Sequence, residues 1–169
     1  MSVTYRTYCK RAPKRESRKK LIGSCFTKPV GGLWGCRGDE WIEWCKKECF
    51  SLNKWKECFE WKLSRGAKIL RVKSIGGFAH LIEKYYKQIA PRVGEIDYLA
   101  IAQDYDAIEL TEIPINELQK GFNRKQLLKV SYNFGKFLLY RLGTHGWDVP
   151  SICVFNTDKV KILRRWEVE

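Results

Sequence analysis

Lys28-Pro29-Val30-Gly31-Gly32-Leu33-Trp34-Gly35-Cys36 carries a glycine pair with a tryptophan two residues beyond it. Glycine has no β-carbon, so such a pair lets the backbone turn sharply and pass close to a ligand. The tryptophan offers a flat face at the mouth of that turn. The chemistry this suggests is a ligand-binding strand edge; the plainer reading is a hairpin turn beside a core tryptophan. The aromatic run Trp41-Ile42-Glu43-Trp44-Cys45 follows closely and has a helix-like pattern.

A second set of reactive side chains is the seven cysteines: Cys9, Cys25, Cys36, Cys45, Cys49, Cys58 and Cys153. Cys45 and Cys49 are one helical turn apart, and Cys36 and Cys58 flank them, which would suit zinc. There is no Cys-x-x-Cys pair, and His80 and His145 lie far away, so structural zinc is not expected. An odd count cannot pair within one chain. With no secretion signal and no apolar run long enough to cross a bilayer, free thiols in the cytoplasm are expected, away from membranes.

Charge gives a third lead. Lys and Arg number 32 against 19 Asp and Glu, a net charge of +13. Such an excess favours polyanionic partners, nucleic acid or an acidic protein, through long-range attraction and counterion release. A basic segment over 10–20 contributes Lys10, Arg11, Lys14, Arg15, Arg18, Lys19 and Lys20 around Pro13. Most short charge runs are only solvated surface.

These groups need elements to hold them. At 169 residues, 44% hydrophobic and 14% aromatic, the chain has the size and apolar content of one domain over 1–169. Alternation predicts strands over Val3–Cys9 and Ala67–Ile75; Ala107–Thr111 and Val160–Trp166 also read as strands, and Ser151–Phe155 as a buried one. A short strand over Ser24–Thr27 should lead into a Pro-Val-Gly-Gly turn. Helices are expected from Asp39 to about Phe50, from Asn53 to about Leu63, from Phe78 to Ile89 and near Phe134–Tyr140. Asp97–Ala102 reads as a short helix or an extended segment. Mixed elements in this order predict an α+β fold.

Three segments resemble the ADP-ribosyltransferase superfamily. Thr4-Tyr5-Arg6-Thr7 looks like the arginine-bearing first strand of its toxin branch. Gly31-Gly32-Leu33-Trp34, with the helix at Trp41, looks like the Gly-x-Gly-hydrophobic-Tyr strand of the polymerase-like branch. Tyr105-Asp106-Ala107-Ile108 and Ser151-Ile152-Cys153-Val154-Phe155-Asn156 are similar to a late pair of strands in the same superfamily. The segments are short but keep the family's order over most of the chain.

The resemblance implies a split, mostly antiparallel mixed β core flanked by helices, and NAD as a substrate. Arg6 would hold an NAD phosphate or ribose, a task that suits a guanidinium. Gly32 would let NAD approach, and Trp34 would stack on nicotinamide. A carboxylate normally stabilises the developing oxocarbenium charge. The aligned position is Ser151, which carries no charge, so Asp148 is the preferred acid and Glu109, with Glu112, the alternative. His145, between Gly143 and Gly146, titrates near neutrality and could touch ribose or move a proton, although a lone loop histidine usually does neither. Two functions follow: NAD-dependent transfer to a nucleic-acid or protein acceptor, or a basic binder or inhibitor without catalysis. Lysine-flanked Trp55 and Trp61 could serve the second by stacking on bases, or sit in the core.

Overall fold

The computed structural model describes residues 3–10, 21–25, 27–52, 55–111, 147 and 149–168. Of the basic segment it places only Lys10, which is exposed; Arg11, Lys14, Arg15, Arg18, Lys19 and Lys20 lie outside the described residues, as do Asp148, His145, Glu112 and the helix expected near 134–140.

The described chain is α+β. Strand β1 is Tyr5–Cys9, β2 Leu21–Cys25, β3 Lys28–Gly31 and β4 Leu33–Cys36, followed by helix α1, Glu40–Lys47. Then come β5 Glu57–Leu63, β6 Ile69–Val72, α2 Ile75–Tyr85, β7 Tyr86–Ala90, β8 Val93–Ile96 and α3 Tyr98–Asp104. Strands β9 Ala107–Leu110, β10 Ser151–Val154 and β11 Val160–Glu167 complete the order. Seven strands form one sheet, β11-β5-β1-β4-β10-β9-β6, while β2–β3 and β7–β8 are separate hairpins. Among the described residues only β6 and β9 pair in parallel, which requires a crossover; α2, the β7–β8 hairpin and α3 provide it.

Alternation along the strands splits the core over two faces. Tyr5, Phe59, Trp61, Ala107, Ile152 and Val154 bury one face. Val72, Ile108, Leu110 and Cys153 point the other way, onto Phe78, Leu81 and Ile82 of α2 and Tyr98 and Ile101 of α3. Central strand β4 obeys the same rule. Gly35 faces Trp61, and a β-carbon there would lie 2.6 Å from the indole Cζ2, so this position admits only glycine beside that ring.

Local chemistry explains the helix starts. In α2 the Ser74 hydroxyl accepts from Gly77 N–H at 3.1 Å, and in α3 the Asp97 carboxylate accepts from Ala100 N–H at 3.0 Å. Helix α1 has Glu40 and Glu43 in its first turn and Lys46 and Lys47 in its last, matching its dipole. Asp39 precedes α1 as expected but makes no side-chain cap, because its carboxylate is bound to Arg6 and Tyr8.

Three expectations are corrected. The stretch expected as helix up to Leu63 is instead strand β5 over Glu57–Leu63: Phe59, Trp61 and Leu63 alternate with Cys58, Glu60 and Lys62, and β5 pairs with both β1 and β11. The helix expected to reach Ile89 ends at Tyr85, and the chain turns back through β7 and β8. Lys28-Pro29-Val30-Gly31 forms β3 rather than a turn; the sharp bend falls at Gly31 and Gly32, with φ of 89° and 69°.

All seven cysteines are free, with Cys25 and Cys49 exposed, Cys9 half-buried and Cys36, Cys45, Cys58 and Cys153 buried. Burial pushes the thiol of Cys58 up to about 11 and that of Cys36 to about 12, and raises Cys153 further. A thiol-reactive chromogen at pH 8 should therefore modify Cys25 and Cys49 quickly, Cys9 more slowly, and the four buried thiols only after denaturant is added. Fast reaction of the buried four in the native protein would contradict this packing.

Candidate functional site

Strands β1, β4 and β10 lie side by side, so the register sets Arg6, Cys36 and Ser151 in one row across the sheet. Trp34, two residues before Cys36, points to the same face. A cavity of about 230 Å³ opens there, and Arg6, Trp34 and Ser151 all line it with Lys28, Trp41 and Trp55. Three residues singled out from separate segments of the sequence are thus brought together.

Each side chain is held from behind. The Trp34 indole N–H donates to Gly31 C=O at 3.0 Å, and its ring meets Trp147 edge-on with centroids 4.9 Å apart. Lys28 Nζ lies 4.8 Å from the Trp34 ring centroid. The Thr7 hydroxyl receives the Trp61 indole N–H at 2.8 Å and itself donates to Trp34 C=O, tying β4 to β1 and β5. Trp147 N–H and Tyr98 O–H both donate to Thr27 C=O, at 2.8 and 2.7 Å, which anchors the hairpin that leads into Lys28. Trp41 stacks on Trp44 at 5.0 Å and meets Trp55 edge-on at 6.0 Å, so α1 supplies an aromatic wall.

Arg6 is not a free cation. It is bound to Asp39 and reaches Glu60 at 3.4 Å, and its guanidinium lies 5.3 Å from the Trp166 ring. Hydrogen bonds from Arg6 and then Tyr8 hold the Asp39 carboxyl below the usual carboxylate range. Arg164 and Arg6 do the same to Glu60. Any anion reaching Arg6 must compete with these carboxylates or use the remaining N–H groups.

Glu109 is brought elsewhere. It lies on β9 opposite Ile152, on the other face of the sheet, and its side chain is only 3% exposed. Its Oε1 accepts Tyr5 Oη at 3.1 Å and Arg37 Nε and Nη2 at 3.1 and 2.6 Å, while Oε2 accepts Arg71 Nε at 2.9 Å. Burial, reinforced by this carboxylate, pushes the Tyr5 phenol up to about 12. A second cavity, of about 310 Å³, lies beside Glu109 with Arg37, Lys73 and Thr111 in its wall. Ser151 lines both cavities, and its hydroxyl donates to Val149 C=O at 2.6 Å.

Gly32 does not line the aromatic cavity; it forms the bend that aims β4. Among the described residues no group of three or more His, Cys, Asp or Glu is placed to hold a metal, and no helix is long and apolar enough to cross a membrane. Sequence alone does not single out Lys28, Arg37, Arg71 or Lys73 as site residues. Nothing in their local pattern separates them from ordinary surface cations, and only the sheet register gathers them. Set against protein-family models, curated proteins and solved structures, the chain matches none.

Proposed function

We propose that the aromatic cavity binds NAD and that the chain acts as an ADP-ribosyltransferase-like protein on a nucleic-acid or protein acceptor. The observation that carries this reading is the meeting of Arg6, Trp34 and Ser151 in one cavity. Indole faces suit a planar base, and Lys28 and Arg6 supply positive charge for the pyrophosphate. Transfer needs a carboxylate near the ribose as positive charge develops there. Ser151 offers only a hydroxyl, and Glu109 is committed to Tyr5 and two arginines. Asp148, next in sequence to the cavity-lining Val149, is the residue we assign to that role.

Titration with NAD, followed by tryptophan fluorescence, should show saturable binding. Trp34→Ala should weaken it at least about tenfold, since stacking on an aromatic side chain is worth ~1–3 kcal/mol per base. Arg6→Ala should weaken it too, and Asp148→Asn should leave binding intact while removing turnover. No response up to millimolar NAD would sink the reading.

The engagement of Glu109 favours a second reading, binding without catalysis. Saturable NAD binding with no turnover in the unmodified protein would select it. Binding of polyanions that falls steeply with salt, with no NAD response, would instead point to a basic binder of nucleic acid or an acidic protein.

A further inference from the structure

The second cavity has the features of a built site. Its buried wall is Glu109, whose two oxygens are filled by Tyr5, Arg37 and Arg71. A carboxylate so occupied has little capacity left as a base or a metal ligand. What it does is hold two guanidiniums in fixed positions. Arg37 and Arg71 are themselves 48% and 41% exposed, so both keep N–H donors open to solvent, and Arg37 lines the cavity.

Lys73 adds to this. It follows β6, two residues after Arg71, and lines the cavity from the exposed edge of the sheet. It has no ion-pair or hydrogen-bond partner among the described residues. The negative charge against it is Glu109, already neutralised, and Glu40, whose carboxylate accepts Arg37 N–H at 3.3 Å. Arg37 and Lys73 line the cavity against Glu109 and Glu40, with Thr111 beside them, and Arg71, which binds Glu109 from outside the lining, brings the balance of the whole cluster to one positive charge. A guanidinium held in place by a carboxylate, beside an ammonium on a flexible stem, suits an oxyanion with several acceptor oxygens.

We propose that this cavity binds a phosphate-class oxyanion, free or as a small ester, through Arg37 and Lys73, with Glu109 as a positioning residue that aims the guanidiniums. Ser151 lines both cavities, but Arg37, Lys73 and Glu109 line only this one.

The test is calorimetric titration of the full chain, at constant ionic strength, with inorganic phosphate and with ribose 5-phosphate. Both should bind saturably. Lys73→Ala should weaken binding about fivefold or more, as expected for loss of one charge-assisted contact, and Lys73→Arg should retain it. Because Lys73 is exposed and has no partner among the described residues, its alanine variant should melt like the unmodified protein, which separates lost binding from lost folding. Tighter binding of the sugar phosphate would assign an ester, and equal binding free phosphate. Trp34→Ala should weaken the NAD response and leave the phosphate response, so either proposal can fail alone. Absence of saturable phosphate binding, or binding that Lys73→Ala leaves unchanged, would overturn the site.

Discussion

Glu109→Ala should be among the most destabilising single changes in this protein, lowering unfolding free energy by ~3 kcal/mol or more. Glu109 is the buried member of its network, and removing it strands the phenol of Tyr5, itself 2% exposed, without an acceptor. A buried unsatisfied hydroxyl alone costs ~1–3 kcal/mol. The two arginines are then like charges with nothing between them. Both are nearly half exposed and can turn to water, which keeps the loss near the lower end of the ~3–5 kcal/mol typical of a broken buried pair. Glu109→Gln should cost less, because the amide oxygen still accepts from Tyr5. The joint variant Arg37→Ala with Arg71→Ala should cost more than Glu109→Ala, since it leaves the charge on the side that cannot reach water. Urea unfolding of the four proteins checks the order. If Glu109→Ala unfolds at the same urea concentration as the unmodified protein, the network does not stabilise the sheet.

That network also marks where sequence reading stops. Strands β1 and β6 were legible from their period of two, and β9 and β10 as short apolar runs, because both faces of those two are buried. Strand β5 alternates Phe59, Trp61 and Leu63 with Cys58, Glu60 and Lys62, but Asn53 ahead of it has the chemistry of a helix cap, and that reads as a helix up to Leu63. Only pairing with β1 and β11 decides between them. Hairpin β7–β8 was hidden in a different way: Tyr86–Ala90 continues the polar pattern of α2, and Pro91 and Arg92 look like a helix stop when they are a two-residue turn between Ala90 and Val93.

The site divides along the same line. Arg6, Trp34 and Ser151 could be named because each stands in a local pattern resembling a known order of strands. Their meeting in one cavity depends on β4 lying between β1 and β10. Arg37 and Arg71 have no such pattern, and the patterns that hold Tyr5 and Glu109 do not say that the two meet. Arg71 is 38 residues from Glu109, Arg37 is 72 and Tyr5 is 104, so their contacts exist only through long-range register. A charged residue inside a strand pattern reads as a solvent-facing position until the sheet is assembled.

Gly32 joins the two scales, and Gly32→Ala should lower stability by ~2–4 kcal/mol. Two costs add. Its φ is 69°, in the left-handed region, where an alanine loses ~1–2 kcal/mol against glycine. A β-carbon there would also lie 2.7 Å from Cys153 Sγ and 2.9 Å from the Val154 carbonyl oxygen. The sulfur can yield a little, but the carbonyl belongs to β10, which is hydrogen-bonded to β4 and β9 and has no room to move. The bend itself must shift, and with it Gly31 C=O, the acceptor for the Trp34 indole. Gly38→Ala is the control: its φ of 52° carries the same backbone cost, but nothing lies within 4 Å of the added carbon. Gly38→Ala should therefore lose only ~1–2 kcal/mol and leave NAD titration unchanged. Gly32→Ala should lose more and blunt the fluorescence response to NAD. Equal unfolding midpoints for the two variants would mean that β10 gives way to the methyl group, and that the bend does not fix Trp34.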